Sequence, residues 1–191
     1  MTVKNIITRI NLFSKILEST ECSINGSYCE LEEGQNFFYK LVDNLKKNNG
    51  SLYIIGNGGS AGVASHSVND FFNVVKIKAY TLHDPSLFSC FANDYGYEFV
   101  FSKQIDQIIS KDDLLIAISS SGNSANITNA VNAAKTKNAQ VITLSGFNKE
   151  NKLRSMGLIN FWLNSTDYGF VEIGHQFLLH NIVDRFNPTL S

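Results

Sequence analysis

The sequence predicts an α/β domain: a doubly wound, five-stranded parallel sheet with helices on both faces, preceded by a two-helix extension. Three observations carry this. From residue 51 onward, short apolar runs alternate with amphipathic helical segments, and strands apolar on both faces belong to a parallel sheet covered on both sides. The loops after the first and third runs are rich in Gly and Ser, as suits the carboxyl ends of strands where such sheets bind ligands. The first fifty residues instead carry apolar side chains at helical spacing only.

In chain order, Val3, Ile6, Ile7, Ile10, Phe13, Ile16 and Leu17 mark a first helix, and Phe37, Phe38, Leu41, Val42 and Leu45 a second. The polar stretch Ser19–Ser27 separates them. Residues 1–48 thus form an extension whose apolar stripes can pack on their own domain or on another subunit, and residues 49–191 form the α/β domain. Its strands are expected at Leu52–Ile55, Ile77–Thr81, Leu114–Ile118, Val141–Leu144 and Phe161–Leu163. Helices are expected at Ser60–Phe72, Pro85–Phe91 with Phe99–Ile109, Ser124–Lys135, Lys149–Met156 and Val171–Phe186. There is no internal repeat and no Pro-rich linker; the chain has two prolines.

Composition narrows the class of function. The 191 residues are 43% apolar and 17% charged, with a net charge of −1. That describes a soluble globular protein with no basic field for nucleic acid or a membrane surface. No apolar run approaches the roughly 20 residues of a bilayer span, and Met1–Leu17 lacks the continuous apolar core of a signal peptide. Cys22, Cys29 and Cys90 are odd in number and lack metal-type spacing, which fits reduced thiols in a cytoplasmic protein.

Two loops carry the chemistry. The first is Gly56-Asn57-Gly58-Gly59-Ser60-Ala61-Gly62. Its glycines let backbone approach a ligand, and the helix that follows points free N–H groups and a positive dipole end at it. The loop also fits the loose dinucleotide fingerprint, but Ala79-Tyr80-Thr81-Leu82 offers no acidic residue after the second strand. No nucleotide cofactor is expected. The second loop is Ser119-Ser120-Ser121-Gly122-Asn123-Ser124-Ala125-Asn126. Ser124 alone would be an ordinary helix N-cap, but one cap explains one serine, not four. Hydroxyls, backbone N–H groups and a helix N-terminus together make an uncharged phosphate cradle. Neither loop contains Lys or Arg, and no Gly-Lys-Ser/Thr motif is present.

These loops, with Asn93-Asp94-Tyr95-Gly96-Tyr97, Phe101-Ser102-Lys103-Gln104 and Val141-Ile142-Thr143-Leu144-Ser145-Gly146, resemble the SIS domain of phosphosugar isomerases and phosphosugar-binding proteins. Within that family they look like the sedoheptulose-7-phosphate isomerase branch. The resemblance spans essentially the whole chain and is strongest from residue 50 to 146. It implies a flavodoxin-like SIS fold, a sugar-phosphate ligand and a homotetramer with active sites at subunit boundaries. By the same resemblance, Asn57, Gly58, Gly59, Ser60, Asn93, Asp94, Ser119, Ser120, Ser121, Ser124 and Glu172 are expected to bind substrate.

His66 and Asp70 lie four apart, hence on one helix face, and such a pair can hold a metal or act in acid–base chemistry. The family has His and Glu at these positions, so Asp70 is shorter by one methylene. His175 and His180 keep the five-residue separation of the family's last helix, which places His180 on its catalytic and metal-binding His. Glu172 then falls on a Gln that also contacts metal; a one-residue shift would match it to the neighbouring Glu instead. The Arg usual just before that pair is missing, with Gly169 and Phe170 in its place. If His66, Asp70, Glu172 and His180 converge, their donors suit zinc, one ion per subunit. Glu172 and His180 are about 12 Å apart along a helix, so they could meet one ion only from above and below it or from different subunits. His83 reads as structural, and His175 as core or subunit contact.

The implied reaction is aldose–ketose isomerisation of sedoheptulose 7-phosphate to D-glycero-D-manno-heptose 7-phosphate, a precursor of lipopolysaccharide or capsule, with Asp70 as base and His180 as partner acid–base. The rivals are a sugar-phosphate-sensing regulator, a replication-initiator-binding SIS protein, and an isomerase of another sugar phosphate.

Overall fold

The computed structural model describes residues 5–187 and residue 189; Val3 lies outside them. Helix α1 (Ile6–Glu18) leads into a short hairpin of β1 (Glu21–Ile24) and β2 (Ser27–Cys29), followed by α2 (Leu31–Lys47). The α/β portion runs β3 (Ser51–Ile55), α3 (Gly59–Asp70), β4 (Lys78–Thr81), α4 (Pro85–Tyr95), α5 (Ser102–Ile108), β5 (Leu114–Ser119), α6 (Ala125–Thr136), β6 (Gln140–Ser145), β7 (Ile159–Trp162) and α7 (Tyr168–Asp184).

Among the described residues, all strands share one sheet in the order β2-β1-β7-β6-β5-β3-β4. The five expected strands are its parallel part. The chain enters at β3, steps outward to β4, then crosses back to β5 and continues to β6 and β7. Strand order therefore reverses between β3 and β5, which pair from Leu52↔Leu114 to Ile55↔Ala117. The loops beyond these two strands are the Gly-rich and Ser-rich loops, so both flank the switch point where such sheets bind ligands.

Among the described residues the strand count is seven, not five. The stretch read as a polar linker is the β1–β2 hairpin, and β1 pairs antiparallel with β7, from Glu21↔Trp162 to Ile24↔Ile159. Its turn is Asn25-Gly26, both at positive φ (52° and 77°), as a two-residue type I′ hairpin requires. Each strand supplies one buried cysteine, Cys22 or Cys29, to the core, too little for an apolar pattern to reveal it.

Two apolar layers cover the sheet. On one face, Phe38, Leu41, Val42 and Leu45 of α2 and Val171, Leu178, Leu179 and Ile182 of α7 pack with Val63 and Ala64 of α3. On the other, Phe101 and Ile105 pack with Ile127, Ala130, Val131 and Ala134 of α6. Acidic Glu32 and Glu33 at the start of α2, and Lys46 and Lys47 at its end, complement its dipole. Ile6, Ile7, Ile10 and Leu12 of α1 and Ile173 and Phe177 of α7 remain exposed.

Two helical expectations change. The helix expected at Lys149–Met156 is only a 3₁₀ turn, Lys152–Ser155. Asn151 there donates to the carbonyls of Gly146 and Asn148 and accepts from the Arg154 amide, and such side-chain bonds compete with a helix. Helix α7 begins at Tyr168 rather than Val171, because Asp167 caps it by accepting from the Phe170 amide. Beyond Asp70, α3 passes into a π-helical turn, Phe71–Val75.

Phe161 is fully buried against Phe38, ring centroids 6.2 Å apart. Phe161→Ala should lower unfolding free energy by about 3–5 kcal/mol, read as a lower urea midpoint.

Candidate active site at the switch point

The cradle is built from the two expected loops and the first turn of α7. A cavity of about 130 Å³ is lined by Asn57, Ser60, Ile118, Ser119, Ser120, Ser121, Ser124, Tyr168 and Glu172. Gly58 stands at φ +54°, a conformation open to glycine, and delivers the chain into α3. A Cβ at Gly59 would overlap the Glu172 carboxylate, so this glycine makes room for the approach of α7. Ser124 precedes α6 but does not cap it with its side chain; its hydroxyl instead accepts from that of Ser119 at 3.2 Å. The Ser120 hydroxyl is buried with no hydrogen-bond partner.

Behind the cradle, Asn57 and Asn126 exchange two side-chain hydrogen bonds, 2.9 and 2.8 Å, and the Tyr97 hydroxyl donates to Asn57 at 3.2 Å. His83 donates from Nε2 to the Gly56 carbonyl at 3.1 Å, and burial lowers its pKa. It is a structural tether of the glycine loop. Asn93 and Asp94 sit exposed on α4, hydrogen-bonded to each other at 2.9 Å, and do not line the cradle. Tyr168, Asn126 and Tyr97 are contributors that motif reading did not single out; Asn126 and Tyr97 lay inside quoted motifs, and Tyr168 did not.

Helices α3 and α7 run side by side, and farther along them His66, Asp70 and His180 converge. Nε2 of His66 and Nε2 of His180 are 3.1 Å apart. Oδ2 of Asp70 lies 3.3 Å from His66 Nε2 and 3.4 Å from His180 Nδ1, is buried, and receives no well-aligned hydrogen bond. Three of the four expected metal-ligating residues thus offer donor atoms to one point. Glu172 is not among them. Two helical turns before His180, it faces the cradle instead. Two imidazole nitrogens on a tetrahedral zinc, each at about 2.05 Å, stand about 3.3 Å apart. The His66–His180 spacing and the orphan carboxylate oxygen therefore fit a divalent ion.

Residues 38–146, more than half the chain, match the family model described as SIS domain. The chain belongs to the SIS domain family. Among curated SIS relatives it is 39% identical over 132 residues to the phosphoheptose isomerase of Cytophaga hutchinsonii, covering 65% of this chain and 69% of that one. It is 33% identical over 190 residues to that of Helicobacter pylori, covering 95% and 94%. Among solved structures, phosphoheptose isomerase from Neisseria gonorrhoeae superposes with a TM-score of 0.83 at 27% identity, covering 95% of this chain and 96% of that one. The likeness to the last two extends over nearly the full length of this chain.

His175 fixes α7 from behind. It is fully buried and donates from Nε2 to the Ser145 carbonyl at the end of β6, at 3.1 Å. Burial lowers its pKa to about 4, so the folded protein holds it neutral, whereas the unfolded chain takes up a proton below the ordinary His value of about 6.5. Stability attributable to this group should fall as pH drops from about 6.5 to about 4, by about 3 kcal/mol, and fall no further below that. His175→Gln should flatten the slope in that window, measured as urea midpoints of the two proteins between pH 7 and pH 4.

Proposed function

We propose that this chain isomerises sedoheptulose 7-phosphate to D-glycero-D-manno-heptose 7-phosphate through an enediolate. The observation that carries the proposal is the convergence of Asp70, His66 and His180 on two helices whose first turns help build a neutral phosphate cradle. Ser60, Ser119, Ser120, Ser121 and Ser124 hold the phosphate by hydroxyl and backbone donors, aided by the N-termini of α3 and α6. Asn57, braced by Asn126 and Tyr97, orients sugar hydroxyls, and Asp94 is assigned the same task from α4. Asp70 takes the proton from the carbon beside the carbonyl. His180 returns a proton to the neighbouring carbon. His66, Asp70 and His180 would hold zinc, and a bound ion supplies polarisation of the substrate carbonyl.

A sugar-phosphate-sensing regulator needs the cradle alone, and the trio then has no task. The presence of His180 beside Asp70 favours an enzyme. A different sugar phosphate remains the reading if Asp70, shorter than the family's Glu, has reshaped the pocket.

The assembly proposed is a homotetramer. Ile6, Ile7 and Ile10 on α1 and Ile173 and Phe177 on α7 expose large apolar side chains, more than an isolated subunit usually leaves bare. Sharing of active sites between copies is supported by distance. Ser60 and Asp70 are ten residues apart on α3, about 15 Å of rise, and none of the trio lines the cradle cavity. A seven-carbon chain of bonds about 1.5 Å long falls short of that span. The reaction is assigned to the cytoplasm, in keeping with cysteines that are all free; among the described residues no helix is long and apolar enough to cross a membrane.

With sedoheptulose 7-phosphate as substrate and product followed by NMR, with and without added zinc, the wild type should turn over. Asp70→Asn and His180→Ala should each lose about 10²–10⁴-fold in rate while sugar-phosphate binding by calorimetry persists. Full turnover by Asp70→Asn would remove Asp70 from the mechanism. Light scattering should give a tetramer, and a monomer would contradict the shared site.

A further inference from the structure

Asn57 and Asn126 hold each other across the two ligand loops, 69 positions apart in the chain. Nδ2 of Asn57 donates to Oδ1 of Asn126 at 2.9 Å, and Nδ2 of Asn126 donates back to Oδ1 of Asn57 at 2.8 Å. The Tyr97 hydroxyl donates to the same Oδ1 of Asn57 at 3.2 Å. Asn126 is 2% exposed, and among the described residues its side chain has no hydrogen-bond partner but Asn57. A buried amide is costly unless it is hydrogen-bonded. What Asn126 adds over an apolar residue in the same place is therefore its hold on Asn57.

A side-chain amide has two N–H donors and an oxygen with two lone pairs. In Asn57 both lone pairs are taken, by Asn126 and Tyr97, and one N–H is taken by Asn126. One N–H is left, on a half-buried side chain that lines the cradle cavity. Turning the Asn57 amide over alone would set N–H against N–H and oxygen against oxygen across the pair. Tyr97 is itself anchored. Its ring meets Phe88 edge-on, centroids 5.6 Å apart, and the carbonyl of the next residue, Glu98, accepts from Asn129 of α6 at 2.9 Å.

We propose that Asn126 and Tyr97 are positioning residues that hold the Asn57 amide in one orientation, so that a bound sugar phosphate meets a single N–H donor there. The ligand atom opposite it must act as an acceptor, whether it is a phosphate oxygen or the oxygen of a hydroxyl. The inference rests on the sugar-phosphate reading of the cradle and assigns how one of its side chains is aimed. It holds whichever copy completes the site, because all three residues belong to one chain.

The test compares binding of sedoheptulose 7-phosphate, by calorimetry, to wild type, Asn57→Ala, Asn126→Ala and the double variant, with a urea midpoint recorded for each. The two single variants should each weaken binding by about tenfold. The double variant should be no weaker than either, because Asn126 acts only through Asn57. Tyr97→Phe removes an exposed hydroxyl and should weaken binding about threefold in the wild type and not at all in Asn57→Ala. Asn57→Asp has the same shape but can only accept, and should bind no better than Asn57→Ala.

A double variant weakened about a hundredfold, the product of the singles, overturns the inference, since a merely structural Asn126 would act in either background. Unchanged binding by Asn126→Ala overturns it too, as does full affinity in Asn57→Asp. If Asn126→Ala does not fold, Tyr97→Phe in the two backgrounds decides the question, and an equal loss in both sinks the inference. Additive losses beside firm wild-type binding leave the cradle standing and remove only the positioning. If the wild type binds no sedoheptulose 7-phosphate, the cradle reading fails and takes the inference with it.

Discussion

The parallel packing of α3 against α7 is the contact on which the rest of the site depends. At one end Gly59 meets the Glu172 carboxylate; farther along, the Gln176 amide reaches the Ser67 hydroxyl; beyond that His66 meets His180. Neither helix could rotate by one residue, about 100°, without breaking both ends together. The pair is held from two sides. Apolar residues of both helices enter one core layer, and His175 bonds α7 to the end of β6. That one bond matters more than its modest net energy suggests, because a buried imidazole left without its acceptor would add a desolvation cost of roughly 1–3 kcal/mol.

The cradle and the trio solve opposite electrostatic problems. A phosphate held by Arg or Lys is bound by strong charge-assisted bonds; one held by hydroxyls and helix ends is bound by weaker, neutral ones and is released more readily. The cradle keeps its serines oriented by bonding them to each other, Ser119 to Ser124 and Ser121. The Ser120 hydroxyl is left buried and unpaired. The trio does the reverse. It gathers three donors of lone pairs around one point with no proton donor aligned to Asp70 Oδ2. Such an arrangement is uncomfortable unless a cation or a transferable proton occupies it.

The parallel sheet and the two ligand loops were legible in the sequence because fully apolar strands and clusters of Gly and Ser are strong local signals. Pairing of His66 with Asp70 was legible for the same reason, being a matter of helical periodicity. Convergence of His180 on that pair was not derivable from spacing, since it depends on how two helices 114 positions apart pack; resemblance supplied it. The hairpin at Glu21–Cys29 was lost because its strands are three and four residues long and mostly half-exposed, although Asn25-Gly26 was a usable turn signal. Within one chain Glu172 does not join the His66, Asp70 and His180 group, and residue type alone could not tell which end of the helix pair it faces. Its placement eight residues before His180 leaves it at the other end of the helix pair.

That separation has a consequence for what the fold permits. Cradle and trio share two helices but no side chain, and about two helical turns lie between them. Serine hydroxyls can bind a phosphate whether or not Asp70 and His180 are present, so a chain of this architecture can keep recognition and lose chemistry by changes at one end of α3 and α7 alone. The converse does not hold. The trio without the cradle would have no means of placing a carbon beside Asp70, and the binding of the remote phosphate is what positions the reacting end. In this chain the residues of both ends are present, and Gly59 makes room for the Glu172 carboxylate at the cradle end.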